Sequence, residues 1–322
     1  MQEMIQEALD VNHDESMTTA KVEFCPGCSS SHFQPDGPAG SSFKVRVGNE
    51  SFGQPSYEAM RCKECGLVFK SQVLNASSLD RYYRVVDFSK WEIEGLFPNE
   101  RLVLGHLKNA KSGSLVLDIG CSSGRLLSRV TDKLECYGIE INPASAEKAA
   151  AKGITMVEPG SLSMSNFTEK FSVVVLVDVF EHLGNPKGLL SEAANSLSRD
   201  GELIICTGDA DSTPMVRNLA NSWYFRNVEH LVMMTRRYAD YLADALGLDL
   251  VSYEPCSHYD TPFPDRMRQT LQRFAYCQFS NKTFLSRTVL RFIPYLRRAK
   301  NWTELPAYTC GQDHVIVRFR KQ

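Results

Sequence analysis

The stretch Val116–Leu127, VLDIGCSSGRLL, constrains the chain more than any other. Leu115 to Ile119 is a short apolar run, the pattern of a parallel strand buried on both faces. Asp118 falls near the carboxyl end of that strand, the edge at which open α/β sheets bind ligands. Gly120 and Gly124 bracket a tight turn, since glycine tolerates a sharp bend or a ligand close to the backbone, and Arg125-Leu126-Leu127 opens a helix. The spacing is not a nicotinamide fingerprint: counted from Gly120, the next two glycine positions of G-x-G-x-x-G hold Ser122 and Arg125. Tyr137 to Asn142 reads as the end of the next strand, and Glu140 lies 22 residues beyond Asp118. An acid about 20 residues on, at the tip of the second strand, suits a pair of ribose hydroxyls; the plainer alternative is a surface glutamate.

The alternation continues downstream. Pro143 starts a helix that Gly153 stops, Ile154–Val157 is a short strand, and Phe171–Val177 (FSVVVLV) is a wholly apolar one. Pro186–Ser198 is helical, Gly201–Thr207 (GELIICT) a strand, Thr235–Leu246 a helix ended by Gly247, and Leu248–Tyr253 a strand. His314–Arg320 (HVIVRFR) alternates like a strand at a sheet edge. Repeated βα units predict an α/β fold with a doubly wound parallel sheet.

These stretches resemble the motifs of class I S-adenosylmethionine (AdoMet) dependent methyltransferases. VLDIGCSSG is similar to the first motif, LVDVFEHLGNP to the fourth and GELIICT to the fifth; with TRRYADYLADALGLDLVSYE they resemble the small-molecule branch. The resemblance covers about Ser114 to Tyr253 plus the last strand. It implies a Rossmann-like seven-stranded sheet with a reversed last strand, AdoMet as methyl donor, and EC 2.1.1.- activity. Asp118, Gly120, Cys121, Ser123, Gly124, Glu140, Ile141 and Asp178 are the positions it marks as cofactor-binding. Ser122, Ser161 and Ser172 depart from the family pattern, which leaves adenine contacts unassigned.

Ahead of this domain stand Cys25-Pro-Gly-Cys28, 33 intervening residues, and Cys62-Lys-Glu-Cys65-Gly66. Two CxxC pairs supply four thiolates, the ligand set of a closed tetrahedral zinc site, and such a site is structural because catalytic zinc keeps an open position. A redox role is the rival, but redox CxxC motifs come singly beside a βαβ pattern. Phe43–Val47 and Tyr57–Arg61 read as strands of a zinc ribbon over residues 21–73, its spacer lengthened by a loop at 35–42. Residues 1–20 read as a flexible tail and 74–110 as a helical linker or lid, with Tyr82, Tyr83, Trp91 and Phe97 as packing residues and Leu102, Leu104 and Leu107 near one face. The remainder, 111–322, is the methyltransferase domain with a basic insertion at about 255–313. Some bacterial sugar methyltransferases similarly place a zinc module ahead of this domain.

The protein must present an acceptor in line with the methyl group and take its proton, and histidine is the natural base near neutral pH. Of seven histidines, His182 follows the fourth strand and His230 lies in the loop after the fifth, both at the ligand edge; Glu181 is placed to orient one of them or, with Asp178, to help hold a metal. The insertion carries nine Lys/Arg between 261 and 300 against one acid, Asp265. That charge fits a solvated helix face, an anionic acceptor such as a nucleotide-linked or phosphorylated sugar, or peripheral contact with an anionic membrane. Net charge is −2, which gives no global pull toward nucleic acid. No run reaches the ~18 apolar residues of a membrane span, and the start lacks a secretion signal. Ten cysteines, four in CxxC pairs and the rest scattered, fit a reducing, cytoplasmic setting. Methylation of a small acceptor at oxygen leads; carbon methylation of a deoxysugar, RNA methylation and a non-catalytic AdoMet-binding scaffold are the alternatives.

Overall fold

Cysteine knuckles and short alternating strands dominate the first quarter of the chain, and longer apolar strands the rest. The computed structural model describes residues 19–86, 93–162, 165–212, 218–302, 306, 308–309 and 311–322; Trp91 and most of the expected tail lie outside them. The first strands are β1 (Thr19–Lys21), β2 (Phe33–Pro35), β3 (Phe43–Val47), β4 (Glu50–Gln54), β5 (Ala59–Cys62), β6 (Val68–Lys70) and β7 (Gln72–Leu74). β3 and β4 form a separate hairpin, and β1 pairs with β7. Two helices follow, α1 (Ala76–Val85), capped by Asn75, and α2 (Pro98–Asn109), which starts on Pro98 with Glu100 reaching back to the Phe97 N–H. Leu107 is buried against the sheet, whereas Leu102, expected on the same face, is exposed.

The central sheet comprises β8 (Leu115–Ile119), β9 (Glu135–Ile139), β10 (Thr155–Met156), β11 (Phe171–Val177), β12 (Leu197–Gly208), β14 (Leu248–Cys256) and β15 (His314–Lys321), after α3 (Pro143–Ala150), α4 (Pro186–Ser196), β13 (Val232–Met233) and α5 (Arg236–Leu246) have taken their places between them. Its order is β10-β9-β8-β11-β12-β15-β14. All neighbours run parallel except β15, which is antiparallel to both β12 and β14. This is an α/β, Rossmann-like sheet with a reversed last strand, the arrangement that the resemblance implies.

The structure corrects two local expectations. β15 is not at an edge: it lies between β12 and β14, and its residues from His314 to Val317 are buried. Its alternation of valine with isoleucine and phenylalanine serves two covered faces rather than one. The segment after Gly124 forms turns and a short 3₁₀ stretch, Leu127–Arg129, instead of an α-helix. The chain must begin β9 at Glu135, so Leu126, Leu127 and Val130 fill the core from a compact turn.

The cysteine-bearing strands do not stand apart from the sheet. β2, β5 and β6 continue into β13, giving a four-stranded sheet in the order β13-β6-β5-β2. Cys25, Cys62, Cys65, Leu67 and Phe69 share one apolar core with Leu176, Phe180, Tyr238 and Leu242. Thr235 joins the two parts with one hydroxyl: it caps α5 by accepting from the Tyr238 N–H at 3.0 Å and donates to the Gly66 carbonyl at 3.1 Å.

The basic insertion folds as α6 (Phe263–Ser280), α7 (Phe284–Thr288) and α8 (Pro294–Arg297). Leu285, Val289, Phe292 and Leu296, predicted at helical spacing, are divided among short turns; Leu296 is buried while Val289 and Phe292 are exposed. Phe263, Met267, Leu271 and Phe274 line an exposed face of α6. Among the described residues no helix is long and apolar enough to cross a membrane.

Thr235→Val removes a helix cap and leaves the buried Gly66 carbonyl unpaired. It should cost about 2 kcal/mol of global stability, from ~1 for the cap and ~1 for the orphaned acceptor. Urea unfolding followed by circular dichroism checks this.

Candidate active site

The loop at the tip of β8 is closed by sterics and by one carboxylate. Gly120 and Gly124 take φ of +81° and +72°, and a Cβ at either would come within 2.3 Å of Val179 or Ile154. Glu140, just past β9, accepts the Ser122 N–H at 2.9 Å and the Asn142 N–H at 2.7 Å, one on each oxygen. Each oxygen keeps a lone pair for a further donor. Ile141 beside it is 62% exposed. Cys121 and Ser123 turn their side chains inward, Cys121 against Gly138 and Ser123 toward the Lys152 amine. Asp118 is buried with Oδ1 unpartnered, and burial, reinforced by Glu100 and Glu140, raises its carboxyl to about 8. A buried carboxyl with an unpartnered oxygen, a glycine loop and a glutamate with free lone pairs together leave this edge able to receive amino and hydroxyl donors.

The neighbouring strand tip holds the predicted acid–base residues. Glu181 is 1% exposed, and both its oxygens are taken, by the Tyr224 hydroxyl at 2.5 Å and the Thr207 hydroxyl at 2.8 Å. His182 reaches the cleft, with Nδ1 3.0 Å from the Tyr83 hydroxyl and Nε2 3.9 Å from Glu181. His230 stands edge-on to His182 at 4.9 Å between ring centres, and its buried Nδ1 has no partner. Burial, with His182 and Lys70 adding to it, pushes the His230 ring well below its usual range, so it is neutral. Lys70 comes from the cysteine-bearing sheet: its amine is wholly buried and donates to the Asn227 carbonyl at 2.6 Å.

Asp178, at the end of β11, has φ +53° and opens a second cluster with two histidines that sequence reasoning did not single out. His314, the first residue of β15, is fully buried; its Nδ1 lies 2.9 Å from Asp313 Oδ1, and its Nε2 3.7 Å from Asp178 Oδ1. Burial opposes its charge, but Asp313 and then Asp178 outweigh that and raise the ring to about 9. His258, just beyond β14, stacks on Phe97 at 4.7 Å and is pushed down to about 3 by burial and His314. Desolvation in the cleft, then Glu181, raises Asp178 to about 7, although 29% of its side chain remains accessible. Asn99 of α2 donates toward Asp178 Oδ2 and lies 3.3 Å from His258 Nδ1. The available signal was the reversed last strand, since an antiparallel strand begins where its neighbours end.

Cys25, Cys28, Cys62 and Cys65 converge with their sulfurs within 4.8 Å of one another, and none forms a disulfide. Cys25 and Cys65 are 3.5 Å apart, as are Cys28 and Cys62. Four sulfurs ~2.3 Å from a common tetrahedral ion would stand about 3.8 Å apart, so the donor set fits zinc.

Residues 96–253 match the family model described as a methyltransferase domain. That segment, just under half of the chain, is similar to methyltransferase domains. An uncharacterized protein of Methanocaldococcus jannaschii, MJ1123, is 28% identical over 129 residues, 39% of this chain and 60% of that protein. A tRNA U34 carboxymethyltransferase of Desulfotalea psychrophila is 30% identical over 111 residues, 32% of this chain and 34% of that protein. The chain therefore spans less than two thirds of either curated relative. Among solved structures, the YcgJ protein of Bacillus subtilis aligns at 16% identity with a TM-score of 0.47, over 70% of this chain and 98% of that one.

The Lys70 amine is pushed down from 10.5 to about 7 by burial, with Glu229 pulling the other way. Between those values the unfolded chain holds a proton that the folded chain has shed, so this group makes stability rise as pH increases through the window and contributes no slope below it. Lys70→Met should flatten that rise, read as urea midpoints collected across the alkaline range.

Proposed function

We propose that the chain transfers a methyl group from AdoMet to an oxygen of a small acceptor. The observation that carries the reading is Glu140 closing the glycine loop beside an edge lined by Glu181, His182 and His230. Asp118, Gly120, Gly124, Glu140 and Ile141, with the backbone of Cys121 and Ser123, form the donor site, and Asp178 borders the methyl group. When bound, AdoMet supplies a sulfonium-activated methyl group and retains the electron pair of the broken carbon–sulfur bond. His182 faces the cleft and takes the acceptor's proton. Neutral His230 packs edge-on behind it, and Glu181 holds Tyr224 in place. Residues 74–110 act as a lid through Tyr83 and Phe97, which touch His182 and His258.

The acceptor is a sugar or secondary-metabolite intermediate, with carbon methylation of a deoxysugar as the nearest alternative. RNA methylation has less support. The stretch after β11 reads DVFEHL and lacks the Asn/Asp-Pro-Pro-aromatic motif of amino-nitrogen nucleobase methylation. Residues 21–73 form a ribbon around a structural zinc on Cys25, Cys28, Cys62 and Cys65, and 111–322 the catalytic domain with its insertion at about 255–313. Four thiolates kept for zinc belong in a reducing cytoplasm.

Calorimetric titration with S-adenosylhomocysteine should show micromolar-range binding, weakened by ~1–3 kcal/mol in Glu140→Ala, the worth of hydrogen bonds to a charged group. His182→Gln should keep that binding while lowering kcat by ~10²–10⁴, the usual span of a lost acid–base group. A folded protein that binds no S-adenosylhomocysteine would end the methyltransferase reading.

The insertion supports a second reading, docking on an anionic lipid surface. Phe263, Phe284 and Phe292 are 71%, 81% and 71% exposed within the segment that carries the nine basic residues. The protein should sediment with phosphatidylglycerol vesicles and lose this in Phe263→Ser/Phe284→Ser; equal recovery with neutral phosphatidylcholine, or none with either, would exclude it.

A further inference from the structure

Three ligand-type side chains from three separate strand ends meet at the reversed edge of the sheet. Asp178 follows β11, His258 follows β14 and His314 begins β15. One atom from each lies within 4.8 Å of the others. His258 Nδ1 is 3.6 Å from Asp178 Oδ2, and His314 Nε2 is 3.7 Å from Asp178 Oδ1. Those separations are too long for hydrogen bonds. They are close to the spacing of two atoms that share one ion: ligands ~2.1 Å from a tetrahedral centre stand about 3.4 Å apart.

Three polar atoms here are buried without a partner: Asp178 Oδ1, His314 Nε2 and Asn99 Oδ1. His314 has no exposed surface at all, so no bulk water compensates its ring nitrogen. Its other nitrogen is already committed to Asp313 Oδ1 at 2.9 Å, and Asp313 is fixed in turn by the Trp223 indole N–H at 3.2 Å. A carboxylate on the far nitrogen of a histidine is the outer-shell arrangement that orients metal-ligating imidazoles and raises their basicity. A rotation of the Asn99 carboxamide would exchange its orphaned oxygen with Nδ2, which stands 3.3 Å from both Asp178 Oδ2 and His258 Nδ1. The neighbouring group of Glu181, His182 and His230 differs, because both Glu181 oxygens are engaged by Tyr224 and Thr207.

We propose that Asp178, His258 and His314 hold a divalent transition-metal ion, with Asn99 completing the protein's share of the ligands. Two imidazoles and one carboxylate favour zinc, iron(II), cobalt or nickel over the hard ions magnesium and calcium. The accessible side of Asp178 gives the ion an entry path and leaves a coordination position facing the cleft. There it would bind the acceptor oxygen and ease loss of its proton to His182. That role rests on the methyl-transfer reading; the ion site does not.

The test is cobalt(II) titration of the full-length protein after mild chelation, by visible absorption and total metal analysis. The expected result is two metal equivalents per chain, one with thiolate charge-transfer bands from the four cysteines and one with weaker nitrogen/oxygen-type bands. His258→Ala and Asp178→Asn should each reduce the count to one and remove only the second spectrum. Asp313→Asn should weaken that second equivalent by ~10–100-fold, as expected for an outer-shell partner. Should His314→Gln fail to fold, His258→Ala carries the test, since circular dichroism and S-adenosylhomocysteine binding report its integrity separately. A wild-type protein that binds only the thiolate equivalent, or a second equivalent that survives both His258→Ala and Asp178→Asn, overturns the proposal. Because S-adenosylhomocysteine binding is read independently of cobalt, failure of the ion site and failure of the methyl-transfer reading give different results.

Discussion

The antiparallel entry of β15 between two strands that run the opposite way decides what meets at the ligand edge. In the parallel strands the useful positions are the last residues: Asp118 and Ile119 on β8, Val177 before Asp178 on β11, Thr207 and Gly208 on β12. In β15 the useful position is the first. Register places His314 between Gly208 of β12 and Cys256 of β14, so its imidazole arrives beside Asp178 and Tyr224. Had the strand paired in parallel, that end of it would lie at the opposite edge of the sheet. The cost of burying a polar ring there is offset by Asp313 and Trp223, which accompany it from the same edge.

A second dependence runs through residues 227–235. This short segment gives its Asn227 carbonyl to Lys70, supplies His230 to the cleft, contributes β13 to the cysteine-bearing sheet and ends in Thr235, which bonds Gly66. Leu231 is held on both flanks, with its N–H on the Glu181 carbonyl and its own carbonyl accepting from Lys70. The position of His230 is therefore set by the four-cysteine unit as much as by the central sheet. The arrangement of the cysteines and the ring position in the cleft are mechanically linked through roughly one strand's length of backbone.

Much of this fold was legible because buried parallel strands are nearly continuous apolar runs. Phe171–Val177 is a strand with the bounds that its composition marks, and Gly247 ends α5 in the left-handed conformation that glycine favours. The positive φ at Gly120 and Gly124 was readable for the same reason. What the sequence hid were the consequences of register and of long-range pairing. The alternation in β15 looks the same for an edge strand and for one covered on both sides. The turn after Gly124 has the apolar content of a helix, and only the distance to β9 decides against it. His258 and His314 carried no local motif, and Asn99 lay within a helix that reads as packing; tertiary placement alone joins them to Asp178. Cys25, Cys28, Cys62 and Cys65 were visible through spacing, but not the fourth strand, β13, that completes their sheet from far downstream.

That late strand has a kinetic consequence. Contacts between residues distant in sequence must close a long loop before they are rewarded, which slows their formation. During synthesis the cysteine knuckles and β6 emerge early, yet β6 keeps an unpaired edge until Val232 and Met233 have been made. An unpaired edge is a template for unwanted strand addition. The hairpin of β3 with β4 and the local pairing of β5 with β6 can form at once, but the apolar surface of Leu67 and Phe69 stays uncovered until the second half of the chain arrives. The cysteine-bearing unit is thus made before the sheet it packs on and finished only when β13 arrives.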